Sequence, residues 1–233
     1  TIIARIRRVF DLGADVSAIN AQLAADPHLA RLVAARPGLR VPGAWDGFEL
    51  AVRAVLGQQI TVVAARRLAG KLVATYGDAL HPAAAEEGDE LCRVFPSPAR
   101  LASANLVTLG MPRARAATLS ALATAAVADP RLFERERDLE GAITRLRALP
   151  GIGEWTAQYI AMRALREPDA FPDSDLGLLR AMRDTEGVRP TATWLASRAE
   201  AWRPWRAYAA QHLWTADAAE PARTTRARAE AVA

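Results

Sequence analysis

The sequence predicts an all-α protein, and three observations carry that expectation. Apolar residues recur at spacings of three and four along almost the whole chain, the period of a helix face, and alternating Val/Ile/Thr runs of strand type are nearly absent. Helix punctuation separates the periodic stretches: Ser97 followed by Pro98 reads as an N-cap with proline at the first helical position, and Gly77 with Asp78 ends the long stretch before it. In order, helices are predicted over residues 1–10, 16–25, 27–35, 44–56, 61–76, 98–103, 105–109, 112–128, 139–148, 154–164, 176–184, 191–201 and 204–214. The polar, Ala/Glu-rich stretch 81–89 reads as a surface loop and the Thr/Arg/Ala tail after Pro221 as a poorly ordered end. No internal repeat of solenoid period is present.

The 233 residues are enough for one large domain or two small ones, and 51% hydrophobic content is ample for a core. No run approaches the roughly 18 uninterrupted apolar residues of a membrane span, and Arg, Asp and Asn interrupt any signal core in the first twenty residues, so the expected address is cytoplasmic. Cys92 is the single cysteine, which excludes internal disulfides, thiolate zinc cages and a four-cysteine iron-sulfur cluster within these residues. His28, His81 and His212 share no metal-like spacing. A net charge of +4 and a pI near 9.9 are compatible with a polyanionic partner and equally with an ordinary soluble protein. Lys71 is the one lysine among 30 basic residues, and codon bias in a GC-rich genome accounts for that better than phosphate binding does. The chain opens at Thr1, directly in an amphipathic segment, and an upstream portion is expected.

Two helical patterns flank the short stretch Leu149-Pro150-Gly151-Ile152-Gly153. Pro150 cannot continue the first helix, Gly151 and Gly153 permit positive φ and remove β-carbons so that another backbone can approach, and Ile152 can pin the turn to the core. The second helix would then start with backbone amides near Gly151, Gly153 and Thr156 aimed at an incoming anion, a phosphate cradle without lysine. A tight helix-helix turn with no ligand fits the same residues.

The run Leu149-Pro-Gly-Ile-Gly153 followed by an amphipathic helix resembles the hairpin of the helix-hairpin-helix DNA glycosylases, and Ala170-Phe-Pro-Asp-Ser-Asp-Leu-Gly177 resembles the element that carries their catalytic aspartate. The match implies that Asp175, rather than Asp173, is the catalytic carboxylate. Bifunctional relatives place a nucleophilic lysine two residues after the last hairpin glycine; Trp155 stands there, which implies monofunctional hydrolysis. The absence of cysteines beyond the catalytic segment disfavours the iron-sulfur branches. Within the superfamily the chain is similar to the AlkA-type 3-methyladenine glycosylases (DNA-3-methyladenine glycosylase II). The markers are the Arg8-Val-Phe-Asp-Leu12 segment, Arg36-Pro-Gly-Leu-Arg-Val-Pro-Gly43, Phe48 through Gln58, Leu109-Gly-Met-Pro112, Trp202-Arg-Pro-Trp-Arg-Ala-Tyr208 and His212-Leu-Trp214. Members of this type carry an N-terminal β-rich domain, expected to be absent here.

The resemblance implies a two-lobed helix-hairpin-helix fold with a DNA cleft between lobes, one lobe spanning 47–167 and the other combining 1–46 with 168–233. It maps Trp155, Tyr159 and Trp214 onto a base pocket, and Gln59 at the Gly57–Ile60 tip onto the plug that fills the hole left by a flipped base. Leucine in the better-known pattern makes glutamine a weaker wedge. It implies a monovalent Na or K ion on the main-chain carbonyls of Arg147, Leu149 and Gly151, with no cofactor for catalysis. The expected partner is double-stranded DNA with alkylated bases, bound by a nucleoid-associated monomer.

Helical spacing independently puts Trp155 and Tyr159, four residues apart, on one face. An electron-rich indole suits a cationic alkylated purine, with cation-π attraction of roughly 0.5 to 2 kcal/mol. Each role has a structural alternative: core packing for the three aromatics, a turn glutamine without a role, or helix capping at 173–175, which fits Asp173 or Ser174 best. Trp45, Trp194, Trp202 and Trp205 read as core or helix packing. Two rival functions remain open, a non-catalytic helix-hairpin-helix binding module and a helix-turn-helix regulator reading the major groove, for which no convincing recognition helix is found.

Overall fold

Short polar side chains start the helices. Asp15, Asp26, Asp46, Thr61, Ser97, Asp138, Asp175 and Thr191 each accept hydrogen bonds from backbone amides of the turn that follows, each cap contributing about 1 kcal/mol. In the computed structural model residues 2–80, 92–135 and 138–230 are described, with side chains described through residue 219. The helices are α1 (Ile2–Val9), α2 (Val16–Leu23), α3 (Pro27–Ala35), α4 (Gly47–Leu56), α5 (Val62–Tyr76), α6 (Pro98–Ala102), α7 (Arg113–Ala128), α8 (Leu139–Arg147), α9 (Glu154–Ile160), α10 (Leu176–Ala181), α11 (Ala192–Ala199) and α12 (Arg206–Glu230). Tight turns of 3-10 type occupy Leu106–Leu109 and Glu200–Trp202, and a π-helical turn, Ala161–Leu165, continues α9. Among the described residues the extended structure is one isolated antiparallel bridge, Ala79 to Arg93. The expectations of a loop at 81–89 and of a poorly ordered tail after Pro221 fall on residues 81–91 and on side chains of 220–230, outside the described residues.

Local competition explains where helices differ from expectation. The helix expected from residue 44 begins at Gly47 because the Asp46 carboxylate takes the Glu49 amide at 2.8 Å. The helix expected to reach residue 184 stops at Ala181, where the Asp184 carboxylate takes the amides of Glu186 and Val188 at 3.0 and 2.8 Å and folds the chain into a turn. The last helix does not stop at Trp214, since no breaker follows it in Thr215–Ala219.

The chain divides into two compact units, residues 46–160 and residues 1–45 with 161–233. The second crossing falls at Ile160/Ala161, earlier than the expected 167. Its cause is local: the π turn and the residue after it are tied to the N-terminal segment, with the Ala44 amide donating to the Arg163 carbonyl at 2.9 Å and Arg166 donating to the Val41 carbonyl at 2.7 Å. In the unit 46–160, α4 is nearly all apolar and buries Phe48, Ala51, Val52, Ala54, Val55 and Leu56, packing on α5, α7 and α9.

The unit formed by the two chain ends is organised around buried Asp11, held at positive φ (54°). Its Oδ1 accepts from Arg166, and its Oδ2 accepts from the Tyr208 hydroxyl at 2.6 Å and the Val41 amide at 3.3 Å. Arg40 donates to the Asp11 and Ala14 carbonyls. Burial first, and then the hydrogen bond to Asp11 and its charge, push the Tyr208 phenol well above its usual range, so it stays a donor. Around this cluster α12 packs on α3 and α10, with Trp202 buried and donating to Asp26 Oδ2 at 2.9 Å. Trp45 and Trp194, expected in the core or in helix packing, are not in the core: they are 48% and 46% exposed, each under an arginine, Arg5 and Arg198. Trp205 is half-buried against Tyr208.

His212 on α12 is buried, and burial, aided by Arg36, pushes its imidazole down to about 4 from 6.5. A lowered value means that the unfolded chain binds the extra proton more readily. Stability is therefore complete above about pH 6.5 and lost as the pH falls toward 4, by up to about 3 kcal/mol. Urea unfolding across this window is expected to show that loss in the wild type and a flatter dependence in His212→Gln.

Candidate active site

In the unit 46–160 the hairpin between α8 and α9 is a rigid turn. Gly151 adopts φ of 80°, and a β-carbon there would stand 1.9 Å from Thr118 Oγ1 on α7. Gly151 is therefore demanded twice, by its backbone region and by its close approach to α7. Gly153 is different: it is exposed and a β-carbon would meet nothing within 4 Å. Ile152 is buried and pins the turn. The ladder of α9 begins with the Ala157 amide on the Gly153 carbonyl at 3.0 Å, so the amides of residues 154–156 form the first turn. Glu154 pairs with Arg147 across the turn at 2.9 Å, an exposed contact of small energetic weight.

The tip between α4 and α5 is fastened to this hairpin. Gln58 Nε2 donates to the Gly151 carbonyl at 3.1 Å and to Thr156 Oγ1 at 3.0 Å, while Arg115 on α7 donates to the Gln58 carbonyl. Gln59 beside it is exposed and held at φ of 55°, a left-handed conformation that costs a non-glycine residue of order 1 kcal/mol. Thr156, expected among DNA contacts, is only 3% exposed, and its hydroxyl serves Gln58. Trp155 and Tyr159 are half-buried and stacked, ring centroids 5.3 Å apart and planes 7° from parallel, a two-ring slab on one face of α9.

The carbonyls expected to hold a cation, those of Arg147, Leu149 and Gly151, surround this turn. Two of them also accept hydrogen bonds, Leu149 from the Ile152 amide at 3.1 Å and Gly151 from Gln58.

In the unit of the chain ends, Asp175 is the N-cap of α10. Its Oδ1 accepts from the Gly177 and Leu178 amides at 2.8 and 3.1 Å and from Trp214 Nε1 on α12 at 2.8 Å. Asp175 itself therefore takes the capping role that the sequence reading gave to Asp173 or Ser174, because the helix starts at Leu176. Three N–H donors thus converge on one oxygen at that helix start. A β-carbon on buried Gly177 would lie 3.0 Å from Asp175 Oδ1 and 3.1 Å from Trp214 Cδ1, so glycine lets carboxylate and indole meet.

Sequence reasoning missed Gln58, Thr118 and Arg115. Gln58 binds residues 93 and 98 positions away, and nothing local distinguishes it from Gln59. It also missed Asp217, although Asp217 lies three residues after Trp214 and thus on the same face of α12.

Residues 52–207 match the model of the HhH-GPD superfamily base excision DNA repair proteins, well over half of the chain. The chain belongs to this superfamily. Within this superfamily, it is 37% identical over 222 residues to "DNA-3-methyladenine glycosylase 2" of Escherichia coli, covering 94% of this chain and 73% of that protein. It is 46% identical over 216 residues to "Probable bifunctional transcriptional activator/DNA repair enzyme AlkA" of Mycobacterium tuberculosis, covering 92% of this chain. It spans only 42% of that relative's length. A solved 3-methyladenine DNA-glycosylase from Archaeoglobus fulgidus superposes with a TM-score of 0.78 at 24% identity, covering 93% of this chain and 74% of that one, a likeness of fold. Residues 1–46 match the AlkA N-terminal domain model, yet the described part of them folds as α1, α2 and α3 without a strand.

The two hairpin glycines are expected to respond differently to alanine. Gly151→Ala should lose more than about 1 kcal/mol by urea unfolding, part of it recovered by Thr118→Ala. Gly153→Ala should leave stability within about 0.5 kcal/mol while weakening binding to duplex DNA in a fluorescence anisotropy titration; unchanged affinity would deny close backbone approach at Gly153.

Proposed function

We propose that this chain is a monofunctional DNA glycosylase that hydrolyses the N-glycosidic bond of flipped-out alkylated purines, 3-methyladenine and related bases, in base-excision repair. The observation that carries this reading is the 2.8 Å hydrogen bond from Trp214 Nε1 to Asp175 Oδ1. One indole thereby fixes the orientation of a carboxylate and brings a stacking face beside it. Stacking contributes about 1 to 3 kcal/mol per base.

The chemistry asks little of an acid. Alkylation puts positive charge on the purine and weakens its bond to the sugar, so the base departs with the bonding electrons as a neutral leaving group. Charge then develops on the sugar, and anionic Asp175 stabilises it, orients the water that adds at the same carbon and accepts the proton that water gives up. The products are a free base and an abasic site in an uncut strand, because Trp155 occupies the place of the lysine that would form a Schiff base. Trp155 and Tyr159 supply an aromatic stacking surface of their own. Gln59 is the plug in the vacated stack, and the hairpin from Gly151 to Gly153 holds a phosphate. The carbonyls of Arg147, Leu149 and Gly151 are hard oxygen donors that suit Na or K, with the Gln58 amide competing at Gly151. The protein acts as a monomer on double-stranded DNA, in the cytoplasm and at the nucleoid. Among the described residues no helix is long and apolar enough to cross a membrane.

The test is release of bases from methylated duplex DNA by the wild type and by Asp175→Asn. Asparagine caps a helix as well as aspartate does, so the variant keeps α10 while losing the charge. Free 3-methyladenine from the wild type and a loss of about 100-fold or more in the variant, with DNA binding retained, are expected. Equal release from both removes Asp175 from the chemistry, and strand nicking without added alkali contradicts the monofunctional assignment.

A further inference from the structure

Asp175 does not stand alone on the contact between α10 and α12. Arg180, one turn further along α10, is gripped by both oxygens of Asp217 on α12, Nε to Oδ1 at 2.9 Å and Nη2 to Oδ2 at 2.5 Å. The point where a Gly177 β-carbon would sit lies 3.0 Å from Asp175 Oδ1 and 3.4 Å from Asp217 Oδ2, so the two carboxylates crowd one small space. The hydrogen bond it donates to Asp217, and then the charges of Asp217 and Asp175, hold the Arg180 guanidinium above its ordinary range. Arg180 from α10 and Asp217 from α12 thus bring opposite charges close to Asp175, whose Oδ1 also accepts from the Trp214 indole and the Gly177 and Leu178 amides.

We infer that Asp217 is a positioning residue for the reaction at Asp175: its two-pronged grip keeps the Arg180 guanidinium beside the carboxylate as a neutralising charge and off the oxygens that must face sugar and water. The inference rests on the glycosylase reading above. A two-pronged pair is the strongest geometry open to a guanidinium, and only a competing carboxylate in the same geometry diverts it. Removing either member produces an opposite fault. Without Asp217, Arg180 is released toward Asp175 and covers its oxygens. Without Arg180, the Asp217 charge is left bare beside Asp175, and like charges at this range oppose each other's ionisation.

The experiment compares wild type, Asp217→Asn, Asp217→Glu and Arg180→Gln in single-turnover base release from a duplex with one alkylated purine across pH 5 to 9. It also follows the Trp214 indole N–H resonance of the free proteins with pH, assigned through Trp214→Phe. For Asp217→Asn we expect a rate loss of about tenfold or more, the scale of a misplaced reacting group, with unchanged affinity for an abasic duplex and recovery in Asp217→Glu. For Arg180→Gln the acid limb of the rate profile should move up by about one pH unit. The indole transition should move with it, and in the opposite sense in Asp217→Asn. Should Arg180→Gln fail to fold, Arg180→Lys keeps the cation without the fork and is expected to fall between wild type and Asp217→Asn in rate. Indole transitions that match wild type in both variants overturn the positioning role whatever the rates; a wild type that releases no base overturns the enzymatic reading instead.

Discussion

A buried carboxylate holds together the unit made from the two ends of the chain. Asp11 accepts from Arg166, Tyr208 and the Val41 amide, so it joins the segment after α1, the strap before α4, the π turn after α9 and the start of α12. A buried charge of this kind costs several kcal/mol unless every oxygen is served, and it is served only when all four segments are in place. Cooperativity follows from that demand: the ends of the chain, more than 150 residues apart, fold together or leave an unpaired charge. The motif Arg8-Val-Phe-Asp-Leu12, one marker of the family resemblance, thus acquires a physical reason that has nothing to do with DNA. Arg8 extends it by donating to the carbonyls of Ala44 and Trp45.

With α12 fixed at Tyr208, the rest of its first three turns has a defined register. His212, Trp214 and Asp217 then face fixed neighbours, and Trp214 meets the cap of α10. Under the function proposed, Asp175 would serve stability and chemistry with one side chain. Its Oδ1 caps α10 and takes the indole, contributing the usual 0.5 to 2 kcal/mol of an N-cap, and those bonds fix its orientation. A catalytic group held by its own structural duty is preorganised without added strain. The same economy explains why glycine sits at position 177, where any β-carbon would press against both Asp175 and Trp214.

Much of this was legible in the sequence because it is local. Helix periodicity, the caps at Ser97 and Pro98, the turn through Leu149-Pro150-Gly151-Ile152-Gly153 and the pairing of Trp155 with Tyr159 all depend on residues within a few positions of each other, and all stand in the structure. What was not legible depends on distant partners or on competition between equivalent side chains. The sequence cannot say that Gly151 answers to Thr118, or that Gln58 rather than Gln59 fastens the tip to the hairpin. It cannot choose among Asp173, Ser174 and Asp175 as the cap, since any of the three fits one position before a helix whose first residue is uncertain by one turn. Which of core or helix packing Trp45 and Trp194 would take was not legible for a related reason: an arginine laid over each ring stabilises it at the surface.

The contrast between Gly151 and Gly153 separates two pressures that the motif Pro-Gly-x-Gly blends. Gly151 is consumed by the fold, through positive φ and contact with α7; an outside ligand is not needed to explain it. Gly153 has open space where a side chain would go and an ordinary backbone, so the fold alone gives no reason for glycine there. A residue without a structural reason, at the exposed start of a helix whose first amides precede its hydrogen-bond ladder, is where a ligand-based reason has to be sought. Nearby Gln59 is exposed and held at positive φ beside Gln58, whose carbonyl and side chain are both fastened. A strained exposed tip fastened to the hairpin, and a glycine at an exposed helix start that the fold does not demand, stand together where, on the function proposed, a phosphate backbone would be gripped.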